Sequence, residues 1–262
     1  MSRLSSLPVT LRHAIAERRL LKVIAGLTNF DAVAVERIAR AAAAGGADLV
    51  DIACDPGLVA AVATACPQLP VCVSAVDPEL FPAAVAAGAA MVEIGNFDAF
   101  YPQGRIFGAE EVLELTRRTR ALLPEVVLSV TVPHVLPLDQ QEQLAVDLVA
   151  AGADLIQTEG GTSARPFSAG SLGLIEKAAP TLAAAHAISR ALASACADPL
   201  PVLCASGLSA VTVPMALASG AAGVGVGSAV NRLSDELAMV AVVRGLREAI
   251  DVVAPVASLR SV

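Results

Sequence analysis

Four ionisable side chains interrupt or directly follow apolar stretches of the sequence, where a charged group needs either a partner or a chemical role. They are Lys22, Glu93, His134 and Glu159. An amine, a carboxylate and an imidazole can each act as a general acid or base when their surroundings move the pKa toward neutrality. We therefore predict that these four residues are catalytic.

Two of these candidates have a structural alternative. The chain has only two lysines, Lys22 and Lys177, and a lysine within an apolar run can serve as a base or as a Schiff-base nucleophile. An ion pair with Asp51 or Glu93 accounts for Lys22 at least as well. His134 directly follows an apolar run and can exchange protons at physiological pH; its alternative role is to cap a helix.

Glycine and hydroxyl residues follow several apolar runs in a pattern that favours anion binding. Glycine lets backbone N–H groups approach a phosphate, and a helix that starts there adds its positive end. Tight barrel packing would also require some of these glycines. We predict that the residues that bind substrate or phosphate are Asn96, Gly160, Gly161, Ser206, Gly207, Gly227 and Ser228.

The elements that must position these residues follow from an internal repeat. Four Ala-rich segments with helical spacing end at a glycine and lead into a short apolar strand, with the capping glycines at Gly46, Gly88, Gly152 and Gly220. Three more apolar runs are introduced by Leu-Pro, a pair that is tolerated at the start of a strand. With the run at residues 20–27, this makes eight units of strand and helix.

The eight strands are predicted near residues 20–27, 48–54, 70–76, 90–96, 125–132, 154–159, 201–206 and 222–228. Continuous apolar strands and a length close to ~250 residues are typical of a (β/α)8 barrel. We predict an α/β fold, a phosphate-binding (β/α)8 TIM barrel that forms a single domain over residues 1–262, with a helical N-terminal extension over residues 1–19. A doubly wound open sheet is the alternative, but no G-x-G-x-x-G follows the first strand.

Side chains two residues apart on a strand point the same way, which relates the four repeat strands. Five residues after each capping glycine stand Asp51, Glu93, Gln157 and Gly225, and two further on stand Ala53, Gly95, Glu159 and Gly227. Charges are costly in the apolar layer between strands and helices. We therefore expect these positions to face inward and form a polar floor, with Lys22 as the opposing charge.

The aromatic residues are all placed after predicted strands and never inside one. They are Phe30, Phe81, Phe97, Phe100, Tyr101, Phe107 and Phe167. Two interpretations remain open: the rings plug one mouth of the barrel, or they form a lid that faces a substrate or a cofactor such as FMN.

The composition excludes several classes of protein. The net charge is −7 and no Lys/Arg run is present, which argues against a nucleic-acid partner. Residues 199–231 carry no charge, but Pro and Gly interrupt them too often for a spanning helix. Five cysteines without a C-x-x-C pair are typical of reduced core residues in the cytoplasm, and the spacing predicts no metal site. Apolar helices with few charges indicate a homo-oligomer as one option.

Five long motifs resemble one known family, in the same order and over nearly the whole chain. They lie at residues 22–31, 93–101, 128–134, 156–162 and 203–207, and the last continues to Gly227-Ser228. They resemble the hypothetical chloroplast reading frame twenty-three family of cyanobacteria and algal plastids. The resemblance implies an aldolase-type barrel and a photosynthetic host, and it assigns no catalytic residue.

The ends of predicted strands 7 and 8 are also similar to those of phosphate-binding barrels such as thiamine phosphate synthase, and to flavin-dependent barrels that hold the FMN phosphate there. Thiazole synthase is disfavoured because no lysine lies in strands 2 to 8. We predict an enzyme that acts on a small phosphorylated molecule as a lyase, isomerase or synthase. The alternatives are an FMN-dependent oxidoreductase and a non-catalytic metabolite-binding or regulatory protein.

Overall fold

Eight parallel strands close into a barrel in the computed structural model, which describes residues 3–253. The strands are β1 Leu20–Gly26, β2 Leu49–Ala53, β3 Val71–Ala75, β4 Met91–Ile94, β5 Val127–Thr131, β6 Leu155–Gln157, β7 Val202–Ala205 and β8 Gly223–Val226. Each strand pairs with its neighbour in sequence, and β1 pairs with β8 to complete the ring. The predicted (β/α)8 barrel is confirmed.

Helices surround the strands. They are α1 Val9–Ala16, α2 Ala32–Gly45, α3 Pro56–Ala65, α4 Phe81–Ala86, α5 Ala109–Leu122, α6 Leu138–Ala151, α7 Gly170–Ala195, α8 Val213–Ala218, α9 Ser228–Asn231 and α10 Glu236–Val253. Short 3-10 turns lie at Arg3–Ser6, Pro78–Leu80, Phe97–Ala99 and Tyr101–Gln103. Across residues 3–253, no helix combines the length and the apolar character needed to cross a membrane.

The glycines of the repeat end their helices as predicted. Gly46 after α2 and Gly152 after α6 are the C-caps and have φ of 87° and 99°. Gly88 and Gly220 lie one residue beyond the caps of α4 and α8, also with positive φ. Because a left-handed residue without a Cβ carries no steric penalty, each glycine turns the chain directly into the next strand.

The lower half of the barrel interior is apolar. Inward-facing side chains from seven strands pack with residues of the N-terminal segment in one cluster that contains Leu7, Leu11, Ala14, Ile15, Leu20, Leu49, Cys72, Met91, Val127, Leu155 and Leu203. The helix α1 therefore closes the N-terminal end of the barrel. On β8, a Cβ at Gly223 would lie 2.4 Å from the Cβ of Leu20, so only glycine lets β8 and β1 meet there.

The cysteines are free thiols, and four of the five are buried. Burial raises the pKa of the Cys204 thiol to about 11. A protonated, buried thiol packs as a small apolar side chain, which agrees with the prediction that these residues belong to the core.

Candidate functional site

A ring of polar side chains lies directly above the apolar floor. We call it the polar ring; its members are Lys22, Asp51, Ser74, Glu93, Ser129 and Gln157, and none has more than 1% of its surface exposed. The Nζ of Lys22 lies 2.7 Å from Oε2 of Glu93 and 3.5 Å from Oδ2 of Asp51. The ring confirms the prediction that alternate strand residues turn their polar groups inward.

Hydrogen bonds hold the carboxylates of the polar ring in place. Glu93 accepts from the Ser129 hydroxyl at 2.7 Å and from Nε2 of Gln157 at 2.6 Å. Asp51 accepts from the Ser74 hydroxyl at 2.5 Å. The neutral partners therefore all donate to the two carboxylates, which face the single ammonium of Lys22.

The charges of the polar ring determine the protonation of Lys22. Burial is the largest single influence and lowers the pKa of Lys22, but Glu93 and Asp51 together outweigh it and raise the pKa. Burial raises the pKa of Glu93, and Lys22 opposes that rise. An ammonium held in this way has no lone pair to attack a carbonyl, so the arrangement has the geometry of the ion-pair alternative. Catalytic roles for Lys22 and Glu93 stay predictions.

A loop segment crosses the barrel mouth above the polar ring. We call residues 96–104 the mouth segment. Its first residue, Asn96, donates from Nδ2 to Oδ2 of Asp51 at 3.2 Å and to Oε1 of Glu93 at 3.3 Å. Farther along, Oδ2 of Asp98 accepts from the Ser206 hydroxyl at 2.7 Å. The mouth segment thus joins the end of β4 to the end of β7 on the opposite side of the barrel.

The predicted base and acid candidates meet beside the mouth segment. Oε1 of Glu159 accepts from the backbone N–H of His134 and pairs with Nδ1 of that ring, both at 3.1 Å, and it also accepts from the Tyr101 hydroxyl. Oε2 accepts from the backbone N–H of Asp98 at 3.3 Å. Nε2 of His134 lies 2.8 Å from the Ser163 hydroxyl. We call Tyr101, His134, Glu159 and Ser163 the His134 cluster.

The pKa values in this cluster shift in one direction. Burial raises the pKa of Glu159, and hydrogen bonds from His134 and Tyr101 only partly oppose it. For His134, burial is the largest influence and lowers the pKa, but the hydrogen bond and charge of Glu159, together with the charge of Asp98, outweigh it and raise the pKa. A carboxyl group and an imidazole that both hold protons more tightly than usual are suited to exchanging them.

The same place offers a set of metal-binding atoms. One ligand atom each from Asp98, His134 and Glu159 lies within 4.8 Å of the others. The three residues come from three different loops, so no local spacing could show the set, and the sequence analysis predicts no metal site. The two oxygens of Glu159 accept four hydrogen bonds. Hydrogen bonds therefore hold these three residues together in this structure.

A cavity of about 120 Å³ opens next to the cluster, between the ends of β6, β7 and β8. Five predicted residues line it: Gly161, Ser206, Gly207, Gly227 and Ser228. We call it the glycine cavity. A Cβ at Gly161 would lie 2.3 Å from the Cα of Gly207, so both loops need glycine for their backbones to touch. Gly160 lies behind the wall, where its Cβ would be 3.0 Å from that of Pro180.

Three charged residues that line the glycine cavity are not among the predicted site residues: Asp98, Lys177 and Arg232. The guanidinium of Arg232 is exposed and makes no hydrogen bond or ion pair with any residue that the structure describes. Oδ1 of Asp98 is buried and accepts no hydrogen bond from residues 3–253. Lys177 lies on α7 and Arg232 follows α9, and only the folded chain turns these positions toward the mouth.

A second cavity, of about 230 Å³, lies across the mouth and is mainly apolar, with Leu27, Phe30, Cys54, Leu80 and Phe100 among its lining residues. The aromatic residues lie outside the strands, as predicted. Phe97 stacks on Phe107 with centroids 4.4 Å apart, and both are buried. Phe30 is 62% exposed. Phe97 and Phe107 therefore serve packing, Phe30 and Phe100 line this cavity, and Phe167 is fully exposed.

Solved structures with the same fold include enzymes of phosphorylated compounds. A crystal structure of 3-hexulose-6-phosphate synthase matches with a TM-score of 0.60 and 18% identity over 88% of this chain and 99% of that one. Thiamine phosphate pyrophosphorylase from Pyrococcus furiosus matches with a TM-score of 0.56 and 16% identity over 90% of this chain and 98% of that one. The likeness establishes an aldolase-type TIM barrel.

Sequence relatives cover most of the chain. The uncharacterized protein ycf23 of Cyanophora paradoxa is 40% identical over 226 residues, which are 86% of this chain and 90% of the relative. That of Pyropia yezoensis is 35% identical over 235 residues, 90% of this chain and 84% of the relative. The family model described as protein of unknown function (DUF561) matches residues 5–254. The resemblance found in the motifs is thus confirmed, and the chain belongs to the DUF561 family, together with the ycf23 proteins of algal plastids.

Proposed function

We propose that the protein binds a small phosphorylated metabolite at the loops after β7 and β8 and acts on it as a lyase, isomerase or synthase. One observation carries the proposal: a glycine-walled cavity with two basic side chains adjoins a half-buried imidazole and a buried carboxyl group. The aldolase-type fold supports this class of reaction. The two solved barrels, each named for a phosphorylated compound, support the ligand class.

The glycine cavity has the donors that a phosphate needs. Arg232 has its guanidinium uncommitted among residues 3–253, and Lys177 donates only to the carbonyl oxygen of Ala164, at 3.1 Å. Both can form charge-assisted hydrogen bonds with phosphate oxygens. Gly161 and Gly207 let the loops after β6 and β7 touch, and their backbones form part of the cavity wall. A dianion would therefore meet two cations, Lys177 and Arg232, and one carboxylate, Asp98.

The rest of the ligand would extend toward the His134 cluster. Asp98 joins the two places, since it lines the cavity and its Oδ1 lies 3.6 Å from Nδ1 of His134. That buried oxygen can accept a hydrogen bond from a hydroxyl group of the ligand. His134 and Glu159 can then remove a proton from carbon or oxygen and return it to another atom. This is the proton transfer that aldol cleavage, isomerisation and condensation share.

Binding of inorganic phosphate and of simple phosphate esters, measured by calorimetry, tests the proposal. We expect Arg232→Gln to weaken phosphate binding about tenfold or more, because it removes charge-assisted hydrogen bonds worth ~1.5–3 kcal/mol. Arg190→Gln is the matched control, because Arg190 is exposed on the far part of α7 and is outside the cavity. Equal phosphate affinity in both variants would overturn the proposal. Binding without turnover of any phosphorylated substrate would favour the metabolite-binding alternative.

The apolar cavity favours a second candidate, an FMN-dependent oxidoreductase. Phe30 and Phe100 line it, the second of them within the mouth segment, and an isoalloxazine ring would stack on these aromatic and apolar walls while its phosphate takes the glycine cavity. Visible absorbance of the purified protein, before and after denaturation and with added FMN, decides the matter. A colourless protein that does not take up FMN excludes this candidate and leaves the first intact.

A further inference from the structure

Ser163 completes a chain of three functional groups that the proton-transfer chemistry above does not require. Its hydroxyl lies 2.8 Å from Nε2 of His134, and the opposite ring nitrogen lies 3.1 Å from the buried Glu159. A hydroxyl within hydrogen-bond reach of a base, with a carboxylate that orients the base, is the arrangement that activates serine nucleophiles on unrelated folds.

The surrounding hydrogen bonds assign the tautomer of His134. The same oxygen of Glu159 accepts from the backbone N–H of His134 and from the Tyr101 hydroxyl, so it faces donors on every side. Nδ1 therefore carries the proton, and the lone pair of Nε2 faces the Ser163 hydroxyl. In this state His134 can take the proton of Ser163.

Ser163 also adjoins the glycine cavity. The preceding residue, Thr162, lines the cavity, and Lys177, which lines it too, donates to the carbonyl oxygen of the following residue, Ala164. Ser163 is exposed, so its hydroxyl is open to a ligand. If Lys177 and Arg232 hold the phosphate group of a ligand, the ligand atom bonded to that phosphate would lie close to the Ser163 hydroxyl.

We propose that Ser163 is a nucleophile that accepts an acyl group from an acyl phosphate whose phosphate occupies the glycine cavity. The proposal rests on the phosphate site proposed above and adds a covalent step to it. Oγ of Ser163 bonds to the carbonyl carbon as the bond from that carbon to the phosphate oxygen breaks. The serine proton passes to Nε2 of His134 and from there to the departing phosphate, which leaves as hydrogen phosphate. Water then attacks the acyl carbon, His134 takes one proton from the water and gives it to Oγ of Ser163 as the ester bond breaks, and a carboxylic acid is released.

Acetyl phosphate is the probe. We expect a burst of phosphate close to one equivalent per chain, and mass spectrometry after proteolysis should place an acetyl group on Ser163. Ser163→Ala should abolish both signals, and His134→Gln should slow the burst about 10²-fold or more. Ser168→Ala is the matched control in the same loop, because its hydroxyl donates to Glu176 at 2.7 Å and does not contact His134.

The outcomes separate the two proposals. Acetylation that persists unchanged in Ser163→Ala, or wild-type protein without acetylated Ser163, overturns the role of Ser163. In the second case, phosphate binding that Arg232→Gln still weakens leaves the proposed function standing. p-Nitrophenyl acetate carries no phosphate, so we expect it to acylate Ser163 more slowly than acetyl phosphate does. Equal rates with the two probes would contradict the part assigned to the cavity.

Discussion

The barrel contains two clusters of ionisable side chains, one above the other, and they differ in what their groups have left to bind. In the polar ring, Lys22 faces Glu93 and Asp51, and the neutral neighbours all donate to those carboxylates. At the mouth, Arg232 lacks a partner among residues 3–253, and one buried oxygen of Asp98 accepts no hydrogen bond there. In the lower cluster the charged groups are paired with one another, and among residues 3–253 only the neutral Oε1 of Gln157 accepts no hydrogen bond there; in the upper cluster it is charged groups that lack partners.

This contrast separates structural from functional charge. A buried ion pair that is fully hydrogen-bonded fixes the interior of the barrel, because removing one partner strands the other without water. Unsatisfied groups that line a cavity are available to a ligand, and a ligand that pairs them gains the interaction. Residue type alone does not distinguish the two clusters, since each combines carboxylates with a base.

The largest expected effect comes from breaking the polar ring. Lys22→Met leaves two buried carboxylates without a counter-charge and should lower the free energy of unfolding by ~3–5 kcal/mol. Urea denaturation measures the loss. Arg40→Met is the control, since the exposed pairs of Arg40 with Glu36 and Glu236 are worth ~0–1 kcal/mol each. If both variants lose the same free energy of unfolding, the buried charges of the polar ring do not stabilise the barrel more than an exposed ion pair does.

A smaller loss is expected at the wall of the glycine cavity. Gly161→Ala forces the loops after β6 and β7 apart, because the new Cβ would lie 2.3 Å from the Cα of Gly207. We expect ~1–3 kcal/mol of destabilisation together with loss of phosphate binding. Gly245→Ala in α10, where the Cβ meets open space, should instead stabilise by ~0.5–1 kcal/mol. Phosphate affinity that survives in Gly161→Ala would place the anion elsewhere.

Ser206 gives a smaller effect whose size depends on the substitution. It is a non-glycine residue with φ of 77°, and its hydroxyl holds Asp98 of the mouth segment. Ser206→Ala loses the hydrogen bond and keeps the strained backbone, so it should destabilise by ~1 kcal/mol. Ser206→Gly relieves ~1 kcal/mol of strain and should be close to neutral. Thermal unfolding of the two variants compares them, and equal losses would show that the strain is not relieved.

Glu159→Gln should alter stability least and pH dependence most clearly. Without the carboxylate, burial dominates and the pKa of His134 should fall; NMR titration of the His134 ring measures it. The folded-state pKa of His134 lies above its unfolded value of 6.5, so it contributes stability that is lost as pH rises from there through the folded value. Glu159→Gln should therefore lose less stability than the wild-type protein as the pH rises from 6.5 through the folded-state pKa of His134. Glu176→Gln, which contacts Ser168 instead, should leave the His134 titration unchanged.

Local pattern made the barrel and the polar ring predictable. Glycine caps after Ala-rich helices mark where each helix gives way to a strand, and the period of two along a strand places Asp51, Glu93 and Gln157 on one face. Neither inference needs knowledge of distant contacts. The family motifs also lie at the strand ends, where a barrel carries its variable chemistry.

The mouth was harder to predict because its contacts join distant parts of the chain. His134 and Glu159 are both found as candidates, and the order of the strands already makes β5 and β6 neighbours, so their pairing could have been inferred. Tyr101 reaches Glu159 across 58 positions of sequence, through a loop without periodicity. Arg232 follows a helix of four residues, and its direction depends on how that helix sits over β8.

Closure of the ring by β1 and β8 also has a kinetic consequence. The pairing of Leu20 with Gly223 joins residues about 200 positions apart, and contacts of such sequence separation form slowly because the loop entropy must be lost first. During synthesis β1 leaves the ribosome long before its partner. Until β8 arrives, the apolar residues beneath α1 and the charges of the polar ring face water through an open seam, so we expect truncation before Gly223 to yield an aggregation-prone chain.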